Sequence, residues 1–134
     1  MTAGALAAVD GKAPDALEQL MKAAGGPIRA VIDLVGNAQT TQLGFDCLTK
    51  GGKLVIVGLF GGGATWALPL IPIKAITIQG SYVGNLRETQ ELLDLVRSKK
   101  VAPIPVTPLP LAKANEALLD LQKGKLVGRA ILTP

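Results

Sequence analysis

The run Gly51-Gly52-Lys53-Leu54-Val55-Ile56-Val57-Gly58-Leu59-Phe60-Gly61-Gly62 is apolar, largely β-branched, and bounded by glycine at both ends. A strand buried on both faces reads this way, with glycine where its carboxyl end must let another group approach the backbone closely. The pattern recurs on either side. Upstream, Ala30-Val31-Ile32-Asp33-Leu34-Val35 runs into Gly36-Asn37; downstream, residues 75–83 pass through Gly80-Ser81-Tyr82-Val83 into Gly84-Asn85. In an open parallel sheet such ends line up along one edge, and ligands of α/β proteins bind in the crevice outside it. The three runs together predict a cofactor-binding parallel sheet.

Helical periods separate the runs. Leu17, Leu20, Met21 and Ala24 recur on one helix face, with Pro14 suited to the first turn and Gly25-Gly26-Pro27 as the stop. Strand 29–35 follows, then a helix over 38–50 that turns Leu43, Cys47 and Leu48 inward and ends at Gly51-Gly52, then strand 53–57. Two strand-helix-strand steps with short connections imply parallel strands and right-handed crossovers, hence a doubly wound sheet. Residues 5–9 read as a short first strand. Residues 67–73 hold Pro69 and Pro72, which excludes a central strand and predicts an irregular or edge segment. Asn85 and Glu88 form a capping box ahead of a helix that buries Leu92, Leu93 and Val96. Beyond it lie a proline-rich extended edge at 103–108, a helix carrying Leu111, Ala114, Leu118 and Leu121 with a stop at Gly124, and a last strand over 130–133.

Composition narrows the chemistry. The chain has 134 residues, 49% hydrophobic and 18% charged, with a net charge of +4. That length buries the core of one domain. No apolar run reaches the roughly 18 residues of a membrane span, and the start lacks a basic region followed by an apolar stretch, so the expected compartment is the cytoplasm, with no membrane partner. One cysteine, Cys47, and no histidine exclude an internal disulfide, Ser-His-Asp and Cys-His machinery, and the usual zinc sites. The densest basic group, Arg97, Lys99 and Lys100, stands at a helix end, where cations complement the dipole. Without aromatic residues interleaved among such cations, nucleic-acid binding is not expected. Gly61-Gly62-Gly63 opens no clear helix and has no following Lys-Ser or Lys-Thr, so it reads as a loop rather than a phosphate cradle. Tyr82 lacks a lysine four positions on, because Leu86 stands there. Asp33, the one carboxylate inside an apolar strand, is expected to accept backbone hydrogen bonds at the strand end.

Five pieces in series carry a family resemblance: Val31-Ile32-Asp33-Leu34-Val35-Gly36, Gly51 to Gly58, Gly80-Ser81-Tyr82-Val83-Gly84, Ala114-Asn115-Glu116-Ala117-Leu118, and Gly128-Arg129-Ala130-Ile131-Leu132. In order and spacing the chain resembles the carboxyl-terminal part of medium-chain, zinc-type alcohol dehydrogenases, oxidoreductases that transfer hydride between an alcohol or carbonyl and NAD or NADP. The resemblance implies a partial Rossmann-type, doubly wound α/β fold lacking its first two strands, with residues 1–101 as a partial NAD(P)-binding domain. It implies that residues 102–134 form a strand-helix-strand tail that returns to the catalytic domain in a full-length enzyme. The family's glycine fingerprint, zinc ligands and ribose-reading residue have no counterpart here.

What the resemblance carries over is the nicotinamide half of the cofactor site. Val57, Gly58 and Leu59 line the nicotinamide end, and backbone groups of Ser81 and Val83 meet its carboxamide. Val35 borders the adenosine side, and the Arg129 guanidinium reaches the pyrophosphate, a geometry its fixed fork of donors suits. No catalytic residue and no metal ligand is expected in the chain. The expectation is a dehydrogenase fragment, not competent alone, with weak or absent cofactor binding and a homodimer formed through strand 75–83. The alternatives are a non-catalytic self-associating domain, or a half-enzyme complemented in trans by a missing amino-terminal half.

Overall fold

The computed structural model describes residues 4–98 and 101–134, so of the basic group only Arg97 lies within the described residues. The chain divides into two compact units, Met1–Gly84 and Asn85–Pro134.

The first unit contains α1 (Ala16–Ala24), β1 (Ile28–Asp33), α2 (Ala38–Cys47), β2 (Leu48–Ile56), a short α3 (Leu70–Lys74) and β3 (Thr77–Gly80). The three strands form a parallel sheet in the order β1-β2-β3, and Asp33, Ile56 and Gly80 stand level in the register, so all three carboxyl ends share one edge. The core lies against β2. Phe45, Leu48, Leu54 and Ile76 are buried, with Ile28, Val31, Ile56, Trp66, Ile71 and Ile78 packed on them. Phe45 stacks on Trp66 with ring centroids 5.4 Å apart. Lys74 places its ammonium 5.4 Å from the Phe45 ring centroid and donates to the Phe45 and Asp46 carbonyls at the carboxyl end of α2, where the helix dipole favours a cation.

Several sequence expectations shift. Residues 5–9 form no strand. Helix α2 ends at Cys47 rather than Lys50, because Leu48 already pairs with Ile28; the next pair is Ala30 with Lys53, so 49–52 form a bulge. Gly51 adopts φ +76° there, and a Cβ on Gly52 would meet the Thr49 carbonyl oxygen at 2.9 Å. Residues 70–74 are helical rather than irregular. Pro69 caps and Pro72 sits in the first turn, positions whose amides have no intrahelical acceptor. Ala75 then takes the left-handed cap at φ +50°, and strand 75–83 contracts to β3. Pro14 precedes the cap residue Asp15 instead of opening α1.

In the second unit, α4 (Leu86–Arg97) starts at the expected capping box, with Asn85 accepting from the Glu88 N–H at 3.0 Å and Glu88 accepting from the Asn85 N–H at 2.7 Å. The strands β4 (Val106–Pro110) and β5 (Arg129–Thr133) pair in parallel, joined through a 3₁₀ turn (Leu111–Lys113) and α5 (Ala114–Gln122). Helix α5 is followed by Gly124 at φ +68°, the expected stop. Leu92, Leu93 and Val96 are exposed rather than buried, as are Leu118 and Leu121. A helical period marks the face that needs covering but does not supply what covers it.

Candidate functional site

At the common edge of the sheet, β1 and β2 run on into loops that lie backbone against backbone. Asp33 O accepts from the N–H groups of both Val57 and Gly58, at 2.9 and 3.0 Å. Phe60 N–H then donates to Val35 O, and Gly61 N–H to Gly36 O, each at 3.1 Å, so pairing continues past the strand ends. Glycine is what permits this approach. A Cβ on Gly36, whose φ is +72°, would lie 2.0 Å from the Gly58 carbonyl oxygen, and one on Gly58 would lie 2.2 Å from the Val35 carbonyl oxygen.

The first turn of α2 is tied to the same point. Buried Asp33 accepts from the Val35 and Gly36 N–H groups through Oδ1, at 2.9 and 3.0 Å, and from the Thr40 hydroxyl through Oδ2 at 2.9 Å. The expected backbone-accepting role of Asp33 is therefore what the geometry shows. Asn37 caps α2 by accepting from the Thr40 N–H, while Thr40 Oγ1 accepts from the Asn37 N–H. Thr40 thus joins the helix cap to the strand end, a link that sequence reading missed. Its signal was present: Asn37 and Thr40 have the same spacing as Asn85 and Glu88. Gly61-Gly62-Gly63 borders a cavity of about 170 Å³ together with Gly36, Asn37 and Thr41.

On the third strand, Ser81 N–H donates to Ile56 O at 2.9 Å, which continues the ladder past β3. Val83 is exposed and holds φ +45°, a conformation a β-branched residue adopts only at a cost. The structure thus brings Val35, Val57, Gly58, Leu59, Ser81 and Val83 to the carboxyl ends of three adjacent strands. Leu59 and Phe60 are exposed apolar side chains on this pinned backbone. Arg129 belongs to the second unit, at the head of β5. Its N–H donates to Pro105 O at 2.8 Å, and a Cβ on the preceding Gly128 would lie 2.1 Å from that same oxygen. Among the described residues no carboxylate pairs with the Arg129 guanidinium.

Titratable chemistry is sparse. Cys47 is buried and donates to Gly44 O; burial pushes its thiol pKa above the ordinary value, against smaller lowering effects of its hydrogen bond and of Lys74. Among the described residues no group of His, Cys, Asp or Glu could hold a metal ion, and no helix is long and apolar enough to cross a membrane.

Residues 1–98 match the family model of the zinc-binding dehydrogenases. The chain belongs to that family. Among zinc-binding dehydrogenases, it is 34% identical over 133 residues to an NAD-dependent alcohol dehydrogenase of Sulfurisphaera tokodaii, covering 98% of this chain and 38% of that protein. It is 31% identical over 131 residues to an alcohol dehydrogenase of Geobacillus stearothermophilus, again covering 38% of the relative. The crystal structure of the alcohol dehydrogenase from the hyperthermophilic archaeon Aeropyrum pernix superposes with a TM-score of 0.85 at 32% identity, over 98% of this chain and 38% of that one. The zinc-binding dehydrogenase chain described here thus spans a little over a third of the length of these relatives and corresponds to their carboxyl-terminal, Rossmann-like cofactor half.

Proposed function

We propose that this chain supplies the nicotinamide half of the cofactor site of an NAD(P)-dependent alcohol dehydrogenase and does not catalyse hydride transfer alone. The observation that carries the reading is the Gly36–Gly58 backbone contact, which sets Val35, Val57, Gly58 and Leu59 beside Ser81 and Val83 at one sheet edge. Both glycines leave room only for backbone, and an open α/β sheet offers its ligands this same edge. Bound NAD or NADP would supply the hydride chemistry; the chain's residues bind and orient it. Val57, Gly58 and Leu59 line the nicotinamide end, and backbone groups of Ser81 and Val83 meet the carboxamide. Val35 closes the adenosine side, and Arg129 pairs with the pyrophosphate. Zinc does not fit these residues: the sequence has no His, and its one Cys is buried and already donating to Gly44 O. The cytoplasm remains the proposed compartment.

Affinity for the cofactor is then low. Loss of several charge-assisted hydrogen bonds of roughly 1.5–3 kcal/mol each, relative to a complete site, moves a micromolar site to about millimolar. Amide-resolved NMR titration with NADH tests the reading. It should shift Gly58, Leu59, Ser81 and Val83, and Arg129→Ala should weaken the effect. Micromolar affinity indifferent to Arg129→Ala, or shifts confined elsewhere, would overturn the assignment.

Self-association is a second reading favoured by one observation. β3 is an edge strand, free of proline and lysine, with Thr77 and Gln79 exposed. Such an edge invites pairing with a second copy across a two-fold axis.

A further inference from the structure

Ahead of α1 the chain turns at Asp10-Gly11, the one place in the sequence where an Asp or Asn precedes glycine. Every other Asp or Asn is followed by a residue with a Cβ, and Asp33 is buried with its carboxylate engaged. Asp10 and Gly11 are both exposed, and among the described residues no Lys or Arg pairs with the Asp10 carboxylate. Two hydrogen bonds shape the turn. The Lys12 N–H donates to Asp10 Oδ1 at 2.9 Å, and the Ala13 N–H donates to Asp10 O at 3.0 Å. A carboxylate that accepts from the amide two residues on is folded forward along the chain, over the peptide between them. The nitrogen of that peptide is Gly11 N, whose N–H has no acceptor among the described residues. With no Cβ at position 11, nothing shields it.

We propose that Asp10-Gly11 is a self-modification site, at which the folded backbone isomerises to isoaspartate. In the first step Gly11 N attacks Cγ of the protonated Asp10 carboxyl. The N–Cγ bond forms, the amide proton and the carboxyl hydroxyl leave together as water, and a five-membered succinimide closes. Water then adds to one of its two carbonyls. Addition at Asp10 C breaks the original peptide bond to Gly11, so the chain runs on through Cγ and the α-carboxylate is left free; addition at Cγ restores Asp. The water lost in closure is regained in opening, and no oxidant or reductant is needed. Because the turn already holds the two reacting groups together on adjacent residues, closure has the advantage of an oriented intramolecular reaction. The product lengthens the backbone by one methylene and turns Asp10 O, the acceptor for Ala13, into a carboxylate oxygen off the main chain. The lead into α1 is then altered, since Ala13 O accepts from the Ala16 N–H at 3.1 Å.

The test is incubation of the folded chain for weeks in neutral buffer at physiological temperature, followed by proteolytic peptide mapping. The peptide spanning Asp10 should divide into two chromatographic forms of equal mass. The new form should show isoaspartate by electron-transfer fragmentation, and should take up label from S-adenosylmethionine when an isoaspartyl methyltransferase is added as the probe. Its yield should exceed that at Asp15, Asp94 or Asp120 by about tenfold, because each of those precedes a side chain that hinders ring closure. Gly11 has no positive φ, and a Cβ there would meet Leu43 Cδ2 at an ordinary 3.7 Å, so Gly11→Ala should keep the parent circular dichroism. It should nevertheless slow isomerisation several-fold. Asp10→Asn reaches the same succinimide by losing ammonia, and should form isoaspartate faster than the parent. Asp10→Ser keeps an oxygen for the Lys12 N–H but cannot close the ring, and should give none at position 10. No isoaspartate at Asp10, an unchanged rate in Gly11→Ala, Asp10→Asn no faster than the parent, or isomerisation seen only after unfolding in urea would each overturn the proposal.

Discussion

Gly36 and Gly58 are the residues on which the sheet edge turns. A methyl group on Gly36 would lie 2.0 Å from the Gly58 carbonyl oxygen at a positive φ, so neither relaxation of a side chain nor a rotamer change removes the clash. Gly36→Ala and Gly58→Ala are each expected to destabilise the first unit by on the order of 3 kcal/mol or more, read by urea denaturation. Gly63→Ala, with open space around its Cβ and no positive φ, should be within about 0.5 kcal/mol of the parent. Asp33→Ala strands the Val35 and Gly36 amides, while the Thr40 hydroxyl keeps the Asn37 oxygens within reach, and should cost about 1–3 kcal/mol. Equal stability of Gly36→Ala and Gly63→Ala would show that the close backbone approach is not what holds the edge. Cys47 adds a pH dependence. Its folded-state pKa is raised by burial, so the unfolded chain loses that proton first as pH rises. Its contribution is fully present below the unfolded value of about 8.5 and is lost above it, towards the folded value. Cys47→Ala should flatten the alkaline decline measured by denaturation at pH 7–10.

At the scale of elements, local signals and packing agree in some helices and part in others. Asn85→Ala removes the cap acceptor of α4, and should lower that helix's stability by about 1 kcal/mol, visible as faster amide exchange over its first turn. Lys74 has two roles on α2, capping its carboxyl end and covering the Phe45 ring. Lys74→Met keeps most of the aliphatic stem but removes the charge, and should loosen the last turn of α2 while leaving β2 protected. Protection of that turn at the parent level would show that the ammonium contributes nothing. The exposed apolar faces of α4 and α5 follow from the same separation of signals: Leu93 and Leu118 lie on apolar stripes, but the described chain leaves both in solvent.

For the whole molecule, the two open edges of one three-stranded sheet make assembly the property most exposed to test. Proline at Thr77 or Ile78 removes a ladder donor and should weaken a β3-mediated dimer if the amide points outward, as measured by light scattering at micromolar concentration. A stable monomer, or a dimer indifferent to both substitutions, would sink the β3 reading. Turnover is the complementary measurement. With no histidine and a single buried cysteine, the pure chain should oxidise no simple alcohol with either cofactor, with or without added zinc. Reproducible zinc-dependent hydride transfer would refute the half-site reading.

Sequence alone determined the sheet's three parallel runs, the stops at Gly25 and Gly124, the capping box at Asn85 and the family, because strand composition, glycine punctuation and cap chemistry are local properties read within a few residues. It also placed Asp33 as a backbone acceptor. Tertiary structure decided the rest. The bulge after Leu48 exists because Ile28 fixes where pairing begins, and residues 70–74 coil into a helix because both prolines fall where amides have no acceptor to lose. The Gly36–Gly58 contact and the Thr40 link join residues on different elements. Such features depend on which segments meet in space, and spacing along a single chain does not encode that meeting.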